Sequence, residues 1–216
     1  MRIGIIGAGR IGGTLTRRFT ALGHEVSVAN SRGPETLQGL ADETGARATA
    51  VPEAARDKEL VVVTIPLKSA GELPAGLFAD AGEQLVIVDT CNYYPQRDRR
   101  IEPIEHGLPS SAWVAQQLGH PVVKAFNSIR AQHLLERGQP AGTPGRIALP
   151  VAGDDERAKR VVLELVDDLG FDGVDAGGLD ESWRQEPGTP VYGADLDADG
   201  VRAALAEATP PTPDAL

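Results

Sequence analysis

The chain has 216 residues, 41% of them hydrophobic and 24% charged, and 21 Lys and Arg face 31 Asp and Glu for a net charge of −10. That acidity argues against nucleic acid or an anionic membrane surface as a partner. The single cysteine, Cys91, excludes an internal disulfide and a zinc cluster.

The chain opens on an apolar strand pattern, Arg2-Ile3-Gly4-Ile5-Ile6, followed by Gly7-Ala8-Gly9-Arg10-Ile11-Gly12. A helical pattern through Thr14, Leu15, Arg18, Phe19 and Leu22 comes next. Strand, glycine loop and helix in that order are the context a dinucleotide-binding fingerprint requires. In such a unit Gly7 permits the tight turn, Gly9 lets backbone approach a pyrophosphate, and Gly12 lets helix and strand pack closely. The free amides and dipole of the helix N-terminus favour the diphosphate charge. A strand this close to the start leaves no room for a signal peptide, and no apolar run reaches the roughly 20 residues of a membrane span. A cytoplasmic protein is the expectation.

Residues 25–29 read as a second strand. At its end, where an NAD-binding unit usually places an acidic residue for the ribose 2′-hydroxyl, stand Asn30-Ser31-Arg32. A hydroxyl and a planar guanidinium suit a 2′-phosphate, and no carboxylate repels it. The residues therefore predict NADP(H). The plainer alternative is a surface turn, Asn-Ser-Arg-Gly-Pro.

Further along, Pro34 opens a helix that ends at Gly45, residues 47–49 form a short strand and 51–56 a short helix. The run 60–65 is continuous and, after Leu60, β-branched, and predicts a strand buried on both faces, stopped by Pro66. Residues 68–77 are helical in part, 85–89 form a strand, 90–111 a polar loop, 111–118 a helix and 122–126 a strand. A strong amphipathic helix spans 155–169, between strands at 147–151 and near Val174. After Asp180 the pattern loosens, with one more helix at 198–208.

This alternation predicts an α/β fold, a Rossmann-type doubly wound parallel sheet with right-handed crossovers and a small C-terminal helical and loop extension. The expected division is a dinucleotide-binding domain over 1–178, a substrate-side segment over 179–208 and a disordered tail over 209–216. Ligands in such sheets bind beyond the carboxyl ends of the strands. The loops that matter therefore begin at Gly7, Asn30, Thr64, Asp89 and Asn127.

Several of these stretches together resemble the NADPH-dependent 8-hydroxy-5-deazaflavin (coenzyme F-420) oxidoreductase family. They are residues 3–13, Val63-Thr64-Ile65-Pro66, Val123-Lys124-Ala125-Phe126-Asn127, Pro150-Val151-Ala152-Gly153-Asp154-Asp155 and Asp175-Ala176-Gly177-Gly178-Leu179. The resemblance implies that Gly7, Gly9, Arg10, Ile11 and Gly12 hold the pyrophosphate. Asn30, Ser31 and Arg32 form the loop at the second strand, with Ser31 and Arg32 on the 2′-phosphate. It implies Thr64, Ile65 and Pro66 beside the ribose and nicotinamide, and Asn92, Ala125 and Asn127 beside the nicotinamide or the deazaflavin. Coenzyme F-420 is the implied second cofactor, a small-molecule hydride donor or acceptor the implied partner, and a homodimer the implied assembly. After Asp180 the chain departs from the family pattern, which leaves the acceptor open.

Hydride transfer between two rings needs orientation and water exclusion more than acid–base help, so no catalytic triad and no metal are expected. Of the four histidines His133 alone is expected near the cleft, although a surface or structural role is the plainer reading. Cys91 is expected at the cleft rim. Arg97-Asp98-Arg99-Arg100 reads as a solvated loop or as a clamp for an acidic substrate tail. Trp183 and Tyr192 either cover the substrate side or seal a small core. Two function classes fit: an NADP(H)-dependent oxidoreductase acting on a deazaflavin, flavin or similar acceptor, and a non-catalytic NADP(H)-binding redox sensor.

Overall fold

A computed structural model describes residues 1–82 and 84–210. The β-branched runs of the sequence pair with one another first. The strands β1 (Arg2–Ile6), β2 (Glu25–Ala29), β3 (Arg47–Ala48), β4 (Leu60–Val63), β5 (Val86–Asp89) and β6 (Val123–Lys124) form one parallel sheet in the order β3-β2-β1-β4-β5-β6. Ile3 lies opposite Val26 on one side and Leu60 on the other, and every residue of β4 and β5 is buried. Helices cover both faces, which is why these strands read as continuous apolar runs and not as alternating ones.

The helices α1 (Arg10–Ala21), α2 (Gln38–Thr44) and α3 (Val51–Ala55) make the early crossovers. Leu15 and Phe19 of α1 are fully buried in a core shared with Ile3, Ile5, Val26 and Val28. On the opposite face Ala54 and Ala55 of α3 pack with Val61, Val63 and Ile87.

The stretch expected to be a polar loop over 90–111 holds two short helices, α4 (Pro95–Asp98) and α5 (Glu102–Glu105), each with a proline in its first turn. The carboxylate of Asp98, itself buried, accepts from Tyr94 N (3.0 Å) and locks the first of them. Such one-turn helices are too short to show a hydrophobic period. The strand expected over 60–65 ends at Val63, so Thr64, Ile65 and Pro66 leave the sheet as a turn. A 3-10 turn, Leu67–Glu72, follows.

Beyond α6 (Ser110–Leu118) and α7 (Ala131–Glu136), the strands β7 (Ala148–Val151) and β8 (Asp172–Asp175) pair in parallel as a separate two-stranded sheet, joined by α8 (Glu156–Asp168). An antiparallel bridge between Lys124 and Ala152 attaches it to the edge of the main sheet. Residues past Asp180, where the sequence pattern fades, begin with a 3-10 turn, Leu179–Gln185, and close with α9 (Ala198–Glu207). Val201, Ala204 and Leu205 of α9 pack with Val191 on Ala148 and Val174. The expected disordered tail lies, for residues 211–216, outside the described residues.

Candidate functional site

The carboxyl ends of β1, β2 and β4 open on a cavity of about 510 Å³. Gly7, Ala8 and Gly9 line it from the first loop, Asn30, Ser31 and Arg32 from the second, and Thr64, Ile65 and Pro66 from the fourth strand. The three glycines of the loop do different work. Gly7 has φ +108°, and a Cβ there would lie 2.1 Å from the Thr64 carbonyl oxygen. A Cβ on Gly12 would lie 1.9 Å from the Gly7 carbonyl oxygen. A Cβ on Gly9 would meet nothing within 4 Å. The protein itself therefore requires the first and third glycines, and the second faces open space in the cavity wall.

The N-terminus of α1 at this loop has no side-chain cap and no acidic residue in its first turn. Elsewhere the longer helices are supplied. Asp155 accepts from Arg157 N and Ala158 N at α8, Asp197 from Gly200 N at α9, and Glu186 from Ser110 N at α6. Among the described helices of nine or more residues, α1 alone lacks such a carboxylate. Its first-turn amides, those of Arg10, Ile11 and Gly12, suit an anionic ligand in the cavity.

Asn30 shapes the second loop. Its Oδ1 accepts from Arg32 N (2.8 Å) and its Nδ2 donates to Thr36 Oγ1 (2.9 Å), while Thr36 Oγ1 also donates to the Gly33 carbonyl (2.8 Å). This asparagine turn leaves Ser31 and Arg32 exposed at the cavity. The Arg32 guanidinium makes no ion pair among the described residues.

Asn92, Ala125 and Asn127 form a second group at the carboxyl ends of β5 and β6, off the cavity lining. Asn92 Nδ2 donates to the Asn127 carbonyl (3.0 Å) and Asn127 Nδ2 donates back to Asn92 Oδ1 (3.1 Å). Ala125 is fully buried in the core, as is Phe126, whose φ of +59° is costly for a bulky residue. The C-terminal segment reaches this group. Asn127 Nδ2 also donates to the Gln185 carbonyl (2.7 Å), and Gln185 Nε2 donates to Asn127 Oδ1 (2.9 Å). Tyr192 Oη lies 2.5 Å from Tyr94 Oη and 3.5 Å from Asn92 Nδ2. Burial and the bond to Tyr94 push the Tyr192 phenol above its ordinary range, so it stays protonated at neutral pH. Tyr192 thus joins the group around Asn92 and Asn127, while Trp183 stacks under Arg184, its ring centre 4.5 Å from the guanidinium carbon.

Sequence reading missed a buried polar network behind this group. Lys124, wholly buried, pairs with Asp89 Oδ2 (3.4 Å) and donates to the Cys91 carbonyl and to Ser110 Oγ. Ser111 Oγ donates to Asp89 Oδ2 (2.6 Å), and Ser110 Oγ donates to Glu186 Oε1 (2.7 Å). The only available signal was a lysine inside an apolar run at 122–126. Also missed were Val51, Ser69, Glu72 and Leu73, which line the cavity.

Three expectations change. Cys91 is buried and not at a rim, and burial pushes its thiol well above the ordinary range, so it is not a reactive thiolate. His133 does not line the cavity; its Nδ1 lies 2.6 Å from Asp195 Oδ2, beside Arg137. Arg97 is engaged, donating to the Asn92 carbonyl (2.6 Å) and pairing with Asp98.

A 3-2-1-4-5-6 parallel sheet with a glycine turn and an uncapped helix start facing a cleft is the Rossmann class of α/β fold, which in other proteins binds dinucleotides at this place. Residues 2–93 match the family model described as NADP oxidoreductase coenzyme F420-dependent. The chain is 28% identical over 208 residues to the F420-dependent NADP reductase of Methanothermobacter thermautotrophicus, covering 88% of this chain and 87% of that protein. Escherichia coli YjhV is 51% identical over 59 residues, a match that spans 27% of this chain and 43% of YjhV. Protein SMa0349 of Sinorhizobium meliloti superposes with a TM-score of 0.75 at 31% identity, over 91% of this chain and 95% of its own. A candidate F420-dependent NADP reductase from Arthrobacter sp. FB24 superposes with a TM-score of 0.67 at 26% identity, over 83% and 86%. Residues 2–93 thus carry the domain of the coenzyme F420-dependent NADP oxidoreductase family, and the similarity to F420-dependent NADP reductases runs over most of the chain. Among the described residues no helix is long and apolar enough to cross a membrane, and no cluster of three His, Cys, Asp or Glu could hold a metal ion.

Proposed function

We propose that the chain binds NADP(H) in the cavity at the start of α1 and transfers hydride between it and a deazaflavin, flavin or similar ring acceptor. The observation that carries this reading is the unpaired Arg32 beside Ser31, at the end of β2, where an NAD-binding unit keeps an acid. Residues and ligand fit on two further counts: the open space at Gly9 and the uncapped α1. Gly7, Gly9, Arg10, Ile11 and Gly12 hold the pyrophosphate through backbone, Asn30 fixes the loop, and Ser31 and Arg32 take the 2′-phosphate. Thr64, Ile65 and Pro66 line the ribose and nicotinamide, and Asn92, Ala125 and Asn127 border the ring side. NADPH, when bound, supplies a hydride.

The protein's share is to orient the rings and exclude water. On this reading residues 1–178 carry the dinucleotide and 179–208 the acceptor side, which Gln185 and Tyr192 support by reaching Asn127 and Asn92. The test is to add NADPH to the protein with coenzyme F-420 and follow the deazaflavin's visible absorbance. Bleaching that needs both protein and NADPH supports the proposal. Tight NADPH binding with no turnover on deazaflavins or flavins would move the protein to the redox-sensor class.

A further inference from the structure

The cavity has a second pair of unengaged polar side chains besides Ser31 and Arg32. Ser69 and Glu72 stand three residues apart on the 3-10 turn Leu67–Glu72, and both line the cavity. A 3-10 turn brings residues i and i+3 into line on one face. Neither the Ser69 hydroxyl nor the Glu72 carboxylate makes a hydrogen bond or ion pair among the described residues. Glu72 and Arg32, both exposed, line the same cavity and do not pair with each other. Beside them Val51 and Leu73, both half-buried against the core, give the cavity apolar walls. Apolar walls with a carboxylate acceptor and a hydroxyl beside them suit a nitrogen heterocycle that offers an amino donor next to a ring-nitrogen acceptor. Adenine presents that edge, through its exocyclic N6 amine and the neighbouring ring nitrogen.

We infer that Glu72 and Ser69 read the edge of the adenine base, with Glu72 accepting from the N6 amine and Ser69 donating to the ring nitrogen beside it. The inference rests on the NADP(H) reading of the cavity and adds base selectivity to it. Hypoxanthine carries a carbonyl oxygen in place of the amine. A carboxylate cannot donate to that oxygen, so two acceptors would face each other and the site would reject the ligand. Glutamine in place of Glu72 can accept from the amine through its oxygen or donate to the carbonyl through its nitrogen.

The test compares calorimetric affinities for NADP⁺ and nicotinamide hypoxanthine dinucleotide phosphate, in the native protein and in Glu72→Gln, Ser69→Ala and Arg32→Ala. The two ligands carry equal charge, so any loss of general repulsion in Glu72→Gln shifts both alike and cancels in their ratio. The native protein is expected to prefer NADP⁺ by roughly tenfold or more, the scale of one hydrogen bond to a charged group. Glu72→Gln should bring the ratio to within about threefold, Ser69→Ala should narrow it less, and Arg32→Ala should leave it as it is. Equal affinity of the native protein for the two ligands, or a ratio unchanged in Glu72→Gln, would overturn base reading by Glu72 while leaving the cavity's NADP(H) role intact. Failure of NADP⁺ itself to bind would overturn both.

Discussion

Gly7, Gly9 and Gly12 look alike in the sequence and differ sharply in their surroundings. Gly12→Ala would drive a Cβ into the Gly7 carbonyl, 1.9 Å away, where no flexible side chain can yield. It should cost about 1–3 kcal/mol, as overpacking does, and lower the melting temperature seen by circular dichroism. Gly9→Ala has open space for its methyl and an ordinary φ of −74°. It should leave melting within a few degrees of native and weaken dinucleotide binding by about tenfold or more, since the methyl would occupy the ligand's approach. A large fall in stability for Gly9→Ala would contradict this division of roles. The motif itself was legible from the glycine spacing. The expected division of roles among the three was legible too; what a Cβ at Gly7 or Gly12 would strike was not, because that depends on how the loop packs against Thr64. Ser69 and Glu72 were unreadable for a similar reason. They come from a 3-10 turn with no hydrophobic period, and only the packing of that turn brings them to the cavity.

The helix ends carry the contrast at the next scale. Asp155 caps α8, and the N–H of Ala158, then that of Arg157, hold its carboxyl below the ordinary carboxylate range. A carboxyl depressed in the folded state adds stability above its unfolded pKa, near 4, and loses it as pH falls through the folded value. Asp155→Ala should cost about 1 kcal/mol at neutral pH, the usual worth of such a cap. The loss should shrink on acidification below about pH 4, as urea denaturation at several pH values would show; a pH-independent loss would count against the cap. The long amphipathic elements were readable because burial imposes a period, as Leu15 and Phe19 on α1 and Val162, Leu165 and Val166 on α8 attest. The short α4 and α5 were not, since proline and a buried Asp98 set them and not periodicity. The pairing of β7 with β8 outside the main sheet was equally hidden, because both sheets present the same apolar strand signal.

Across the whole molecule, the buried Lys124 ties the main sheet, through Ser110, to the C-terminal segment. It links Asp89 of β5, the Cys91 carbonyl and Ser110, which in turn bonds Glu186. Lys124→Met would leave Asp89 buried with two remaining donors, Cys91 N and Ser111 Oγ, and should cost about 3 kcal/mol by urea denaturation. Asp89→Asn combined with Lys124→Met should recover part of that loss, because no charge then remains buried. A single-variant cost below about 1 kcal/mol would show that the pair does not tie the sheet to that segment. The doubly wound parallel sheet and the loops at Gly7, Asn30 and Thr64 were within reach of the sequence, since each loop sits directly after a strand pattern. The contacts that draw Asn92, Tyr94, Asn127, Gln185 and Tyr192 together were not, since they join positions up to 100 residues apart.

The central claim, that Ser31 and Arg32 select a 2′-phosphate, is met most directly by titration calorimetry of NADP⁺ and NAD⁺ into the native protein and Arg32→Ala. Charge-assisted bonds worth about 1.5–3 kcal/mol predict that the native protein favours NADP⁺ by roughly ten- to a hundredfold and that the variant loses most of this margin with NAD⁺ unaffected. Equal affinity of the native protein for the two dinucleotides would contradict it.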